Sequence, residues 1–320
     1  MKLQKIFRWE WMLVVALIVE FTIFSVTSPY FLSASTFADV SFNFTERLVV
    51  ALPLALLIIA GEIDISVAAI IALASVAMGL VATQGAGTPT LVLVGIVSGL
   101  IAGMMNGLLV TVGRVPSIVA TIGTMTLFRG GAYAVLGDRA LKDYPVSFAT
   151  LGQGYLTDSI SNELAIVIVM AIVATVILHY TRWGRVIYAI GANAIASRYS
   201  GIAVNRYKFV LFSITGMCSG LAAVLLTSRL GSTRPSIAQG WELDIISMVI
   251  LGGVSVWGGK GSIVGIVLAA IVLGLVNFGL GLLNIPGIVM SIVVGLLLIV
   301  VVAVPALIER WSQRGTARVS

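Results

Sequence analysis

Charge is what this sequence has least of. Asp, Glu, Lys and Arg make up 10% of its 320 residues, where soluble globular domains carry roughly 25%, and that shortage excludes a water-soluble globular domain. Cysteine and histidine are almost missing. The single Cys218 sits inside an apolar run, which excludes a disulfide framework and a thiolate metal cluster, and the single His179 excludes multi-histidine metal sites. No nucleophile–base–acid set can be assembled from what remains. The chain is therefore expected to be no enzyme and to hold no metal and no cofactor of its own. A phosphate loop is missing too. In ILGGVSVWGGKGS (Ile250–Ser262) the position that needs glycine is Val254, and Gly261 follows Lys260 where Ser or Thr is required. These glycines suit tight bends and close helix packing instead.

What is abundant is apolar sequence, at 59% hydrophobic residues and a mean hydropathy of +1.11. Lipid leaves backbone N–H and C=O groups no partners, so spanning segments must be helices or a closed barrel. The runs are long and continuous rather than alternating, which selects helices. Ten spans are expected: Trp11–Val26, Leu48–Ala60, Ile65–Ala82, Leu91–Val112, Ile118–Val135, Leu164–Tyr180, Phe209–Thr227, Ile245–Val256, Ile263–Leu283 and Ile288–Leu307. The second and eighth are short for a hydrocarbon layer of about 30 Å, so each is expected to be extended or broken. The N-terminal basic and apolar stretch has no small-residue cleavage site after it and reads as a retained first helix.

Counted from a cytoplasmic start, the inner loops hold thirteen of the nineteen basic residues, among them Arg114, Lys260 and the group in Thr181–Lys208. Outer loops hold Arg139, Lys142, Arg229 and Arg234. This asymmetry predicts an even number of spans with both termini in the cytoplasm, and it accounts for the net charge of +6 without nucleic acid. An internal repeat accompanies it. Val94–Val97 matches Val264–Val267, and Val115–Val119 matches Ile285–Val289, both at a shift of 170 residues; Glu62–Ile65 matches Glu242–Ile245 at 180. The matched spans lie five apart and so run in opposite directions, the pattern of an inverted-repeat transporter with its pathway between the halves. The halves are about residues 48–135 and 209–307, one transmembrane domain in all.

Between the halves lies the longest polar interruption, Thr181–Lys208, with Arg182, Arg185, Arg198, Arg206 and Lys208 and no acidic residue. Asn193 can cap a helix of about two turns over Ala194–Tyr199 that Gly201 ends. The loop reads either as a docking element or as an ordinary positive-inside loop. Gly61–Ser66 puts Glu62 and Asp64 at the start of an apolar helix, where Asp64 or Ser66 can cap it or the carboxylates can line a pathway. Glu242 and Asp244 would do the same on the other side. Asn106 and Asn277 are polar residues of the repeated fourth and ninth spans and can either bind hydroxyls or bridge helices. The outer-loop charges Arg139, Lys142, Arg229 and Arg234 can meet a docking partner or simply be solvated.

In order along the chain, Gly61-Glu62-Ile63-Asp64-Ile65-Ser66-Val67, Asn106-Gly107, Pro116 to Thr124, Arg129-Gly130, Gly184-Arg185 with Gly191-Ala192-Asn193, and Glu242-Leu243-Asp244 through Gly258-Gly259-Lys260-Gly261-Ser262 resemble the membrane permease of bacterial monosaccharide-import ABC systems, the ribose/xylose/rhamnose branch, with rhamnose-type permeases nearest. Glu62 stands where that pattern usually has Gly, and Ser117 where it has Phe. The resemblance implies an all-α, ten-helix permease of the type II importer kind in the bacterial inner membrane. It implies a second permease subunit, a cytosolic ATP-binding subunit that carries the ATP–Mg, and a periplasmic sugar-binding protein. It assigns Gly184, Arg185, Gly191, Asn193, Arg198 and Gly201 to the element that couples to the ATPase. The competing expectation is a transporter or channel driven by an ion gradient, with Glu62, Asp64 and Glu20 as ion sites.

Overall fold

The structure, a computed structural model, describes residues 3–32, 40–157, 160–290 and, beyond these, 292, 293, 295, 296 and 299, with side chains of the first helix described from residue 9. Its helices are α1 (Leu3–Thr27), α2 (Thr45–Ile59), α3 (Val67–Ala82), α4 (Thr88–Thr111), α5 (Ser117–Leu136), α6 (Val146–Gln153), α7 (Asn162–Thr175), α8 (Arg182–Ala192), α9 (Ala194–Tyr199), α10 (Val204–Leu230), α11 (Trp241–Leu251) and α12 (Ile263–Leu282). A π-helical turn, Val176–Tyr180, continues α7, and a two-stranded hairpin, β1 (Tyr155–Thr157) and β2 (Ile160–Ser161), precedes it. Among the described residues, six helical segments are long and apolar enough to cross a membrane: Trp9–Thr27, α4, α5, Asn162–Tyr180, α10 and α12. Each predicted span up to the ninth overlaps a helix. The tenth begins helically at residues 287–290 and is helical at 292, 293, 295, 296 and 299, and the rest of it lies outside the described residues.

Local chemistry sets the boundaries. Pro89 in the first turn of α4 and Pro116 and Pro145 just before α5 and α6 sit where the missing N–H costs nothing. Ser161 caps α7 by accepting from the Leu164 amide at 3.2 Å. The core is α2, in which every residue except Arg47 is buried, Pro53 included. Against it packs α10, which α4 in turn crosses with backbones almost touching. A Cβ on Gly99 would run into the Gly216 carbonyl and the Gly220 backbone, and one on Gly103 into the backbone of Phe212 and Gly216. Without a hydrophobic driving force inside lipid, such small-residue seams are how helices hold together. The pair runs antiparallel, so one end of the bundle carries Thr111, Asn205 and the α8–α9 unit, and the other carries Thr88 and Leu230.

Two expectations need correction. The eighth span was placed at Ile245–Val256, but α11 starts at Trp241 and stops at Leu251. Gly252 must lie directly on the Ile266 backbone of α12, and Gly253 turns at φ +85° beneath the Trp9 ring, so the helix cannot continue. The third span does not begin at Ile65. Asp64 accepts from the Ser66 amide at 2.8 Å and the Ser66 hydroxyl at 2.6 Å, and this turn holds the chain open until Val67.

Candidate functional site

Residues 60–66, between α2 and α3, form a break whose polar centre is buried in the helical body while Gly61 is exposed. Asp64, Ser66 and Asn106 are each 0% exposed. Asn106 Nδ2 donates to Ser66 Oγ at 2.7 Å and to Asp64 Oδ2 at 3.2 Å, while its Oδ1 has no partner among the described residues. Ser117 Oγ accepts from the Ile63 amide at 3.4 Å, and Thr121 reaches the Ile63 carbonyl at 3.5 Å, which ties the break to the start of α5. Among the described residues no cationic side chain lies within ion-pair distance of Asp64. Ser66 occupies the cap position of α3 without a side-chain cap bond. The carboxylate therefore shapes the turn rather than capping the helix.

The α8–α9 unit rests against this break. Asn193, extended at φ −162°, separates the two helices, and its Oδ1 accepts from the Ala196 amide at 2.9 Å to cap α9. Gly201, at φ +84°, ends that helix. In α8, Gly184, Ile187 and Ile190 are buried and Arg182 and Arg185 exposed. Gly191 does not face outward. A Cβ there would collide with the Ile59 carbonyl and the Gly259 amide, and these two are themselves hydrogen-bonded at 2.8 Å. Tyr188 donates its hydroxyl to the Gly261 carbonyl at 2.7 Å, and burial pushes that hydroxyl up to about 12, so it stays a donor. Trp9 Nε1 donates to the Leu251 carbonyl at 2.7 Å, and Ser262 donates to Glu10 at 2.9 Å, which clamps the same glycine-rich turn from the other side. Arg185, Ile195 and Tyr199 are exposed, the last at 90%, and Arg198, also exposed, donates to Asn205 Oδ1 in the first turn of α10 at 3.2 Å. Glu62 pairs with Lys208 in the first turns of α10.

The opposite end holds a second polar set. Buried Glu46 pairs with Arg229 at 2.5 Å, and Glu163, also buried, accepts from Thr45 at 2.9 Å. Arg47 lies 3.4 Å from Asp244 and 4.5 Å over the Trp241 ring. Arg129 donates to the carbonyls of Pro235 and Ile237 at 2.7 Å and of Ala68 at 3.2 Å. It thereby fastens the 231–240 segment to α3, with Glu242 close enough to act on its charge. Ser75 bonds Thr227 and Thr233 at 2.7 Å, and Tyr144 bonds Thr233 at 2.5 Å.

Of the residues singled out from sequence, the fold joins Asp64 to Asn106 and brings Gly191 beside Gly61. Asn277 bonds its own helix, donating to the Leu273 carbonyl at 2.9 Å, and meets neither. Glu242 and Asp244 stand in the first turn of α11, where Asp244 is paired with Arg47 rather than capping. Arg229 is committed to Glu46. Arg139, Lys142 and Arg234 are exposed, and the Leu141–Thr233 bridge brings their two loops together. Sequence reasoning missed Lys208, Glu46, Glu163, Ser117 and Thr121 as partners. For the α4–α10 seam a signal existed, the spacing of Gly95, Gly99, Gly103 and Gly107 at every fourth residue.

Helices that cross the bilayer several times, broken around buried polar clusters and carrying a basic helical unit at one end, define a multi-pass membrane transport protein. The chain belongs to the family described as branched-chain amino acid transport system / permease component, which matches residues 36–302. It is thus a permease component of a transport system and no enzyme. It is 33% identical over 303 residues to the Autoinducer 2 import system permease protein LsrD of Salmonella paratyphi A, covering 92% of this chain and 91% of that protein. Proteins of the same name from Escherichia coli and Shigella flexneri are 32% identical over 302 residues with the same coverage. No solved structure matches the chain.

Proposed function

We propose that this chain is the membrane subunit of an ATP-driven ABC importer for a small hydroxylated solute, working in the bacterial inner membrane with both termini in the cytoplasm. The observation that carries the reading is the α8–α9 unit. Its outward face (Arg185, Ile195, Arg198, Tyr199) is open to a partner, while its inward face (Gly191) bears on the break before α3. Such an arrangement suits transmission of force from a separate ATP-binding subunit, which holds the ATP–Mg, to elements beside a pathway. This chain supplies pathway and gate. Glu62, Asp64 and Asn106 belong to the gate on the α8–α9 side, and Glu242, Asp244 and Asn277 to the far half. The halves, about 48–135 and 209–307, are inverted copies, a reading supported by two helices, α3 and α11, that each follow a non-helical segment and have an aspartate at their start, Asp64 just before α3 and Asp244 in the first turn of α11, at opposite ends of the bundle.

The partners are a second permease subunit, identical or homologous, the ATP-binding subunit and a periplasmic solute-binding protein. The last would dock on the surface shared by Arg139, Lys142 and Arg234, with Arg229 behind it holding Glu46. A monosaccharide is the solute class that the sequence motifs favour, with rhamnose first to test and autoinducer 2, named for the relatives, as its competitor. Deleting Ala192–Gly201 should leave a folded membrane protein that no longer co-purifies with an ATP-binding subunit; retained co-purification refutes the reading. Uptake of rhamnose, ribose, xylose and autoinducer 2 into energised vesicles then sorts the solutes.

One observation favours a second reading, a transporter driven by an ion gradient. Asp64 is wholly buried without a cationic partner among the described residues, as a proton or cation site would be. An ionophore that abolishes uptake while ATP remains would select it.

A further inference from the structure

The break at 60–66 lies between two bodies. On one side is α8, which touches it through Gly191, packed on Gly61 and on the Ile59 carbonyl. That contact is bare backbone against backbone. It resists compression, and the Ile59 carbonyl beneath it accepts from the Gly259 amide. On the other side is the α4–α10 seam, rigid because a Cβ at Gly95, Gly99 or Gly103 would find no room and because Asn205 donates to the Thr111 carbonyl at 3.0 Å. The break is fastened to this body at two points, Asp64 to Asn106 on α4 and Glu62 to Lys208 on α10.

These two attachments differ. Asp64 and Asn106 are fully enclosed. Glu62 and Lys208 keep side-chain exposures of 11% and 16% at the rim, where the field between them is stronger than in water but water can still enter. Glu62 follows directly on Gly61, whose φ of +84° makes it the corner at which α2 turns into the break. A push arriving at Gly191 therefore reaches a corner whose next residue is pinned to a fixed helix.

We propose that Glu62 and Lys208 are positioning residues for coupling: their ion pair is the anchor about which the Gly61 corner turns, so that displacement of α8 rotates the segment leading into α3 instead of sliding it as a whole. This rests on the reading of the chain as the membrane subunit of an ATP-driven importer. The pair touches neither solute nor ATP and acts through Gly61 and Asp64.

The lone Cys218 makes the test direct. In a Cys218→Ser background, Ile195→Cys reports on the outward face of α9 and Ile63→Cys on the half-buried break. Maleimide labelling rates are measured in membrane vesicles that contain the full transporter with its ATP-binding subunit, with and without a non-hydrolysed ATP analogue. The Ile195→Cys thiol should be protected by the ATP-binding subunit, and the analogue should change the Ile63→Cys rate about five-fold or more. Glu62→Gln and Lys208→Met should each reduce that response to less than about two-fold while Ile195→Cys stays protected, and the exchanged pair Glu62→Lys/Lys208→Glu should restore it. Lys208→Arg, which keeps the charge, should respond like the parent. An unprotected Ile195→Cys overturns the importer reading and this inference with it. A protected Ile195→Cys together with an intact Ile63→Cys response in both single variants overturns the inference alone. So does a failure of the exchanged pair to restore the response, or loss of the assembled complex in the single variants, either of which would make the pair structural.

Discussion

Asn106 on α4 reaches across to Asp64 in the break before α3, its Nδ2 lying 3.2 Å from Oδ2 and 2.7 Å from the hydroxyl of Ser66. One amide thus serves both polar side chains that hold the break open, in a place where water cannot substitute for it.

Asn106→Ala should therefore destabilise the protein by about 1–3 kcal/mol, the range for leaving a buried polar group without its partner. Asn106→Asp should cost more, because it sets a second carboxyl against the first. Thermal unfolding in detergent, followed by loss of the monodisperse peak, measures both; an unchanged midpoint for Asn106→Ala would show the contact to be idle.

The α4–α10 seam predicts a contrast between two glycines. Gly99→Val should cost about 1–3 kcal/mol or more through overpacking, since even the first added carbon meets the Gly216 carbonyl. Gly123→Ala on α5 adds a Cβ with nothing within 4 Å and should leave stability at least unchanged, with the usual helix-propensity gain. Paired melting curves check the two together.

Arg229→Met strands the carboxylate of Glu46, whose side chain is 1% exposed. Breaking a buried pair on one side costs about 3–5 kcal/mol, and the lower end applies because Arg229 itself remains 29% exposed. The double variant Arg229→Met/Glu46→Gln should recover part of that loss. If the single and double variants are equally unstable, Glu46 is not the group that Arg229 serves.

Tyr188→Phe removes the hydroxyl that α8 donates to the Gly261 carbonyl and should cost about 0.5–1.5 kcal/mol. Its pH dependence has a definite sign. The folded-state hydroxyl is raised to about 12 from an ordinary 10, so the bond is fully present below about pH 10 and is lost as pH rises through about 12. Stability measured from pH 6 to 9 should show no pH-dependent contribution from it, and the Phe variant should be less stable than the parent by a constant amount across that window.

The helices were legible because lipid leaves so little choice. A long apolar run with no water to satisfy its backbone must be helical, so α4, α10 and α12 fall within a few residues of where hydropathy puts them. The α9 helix was legible for a local reason: Asn193 and Gly201 carry its start and stop in their own side chain and backbone freedom. The start of α3 and the end of α11 were not legible, since a turn made by Asp64 and a close approach of Gly252 to α12 override the hydropathy.

The candidate site divides in the same way. Glu62, Asp64, Asn106 and Gly191 stand out in sequence because charge, amide or glycine is rare or out of place in apolar helices. Nothing local told Asp64 to meet Asn106, Glu62 to meet Lys208, or Arg229 to turn inward to Glu46. Those pairings span 42, 146 and 183 residues.

The order of residues alone settled that this chain lives in a membrane, where its helices run, and that a basic helical unit interrupts them, because each of these follows from the cost of placing a short segment in lipid or water. Which polar groups neutralise one another was decided only when the helices packed. Burial makes an unpaired charge or amide expensive, and the partner that removes the expense is whichever side chain the fold brings within about 3 Å.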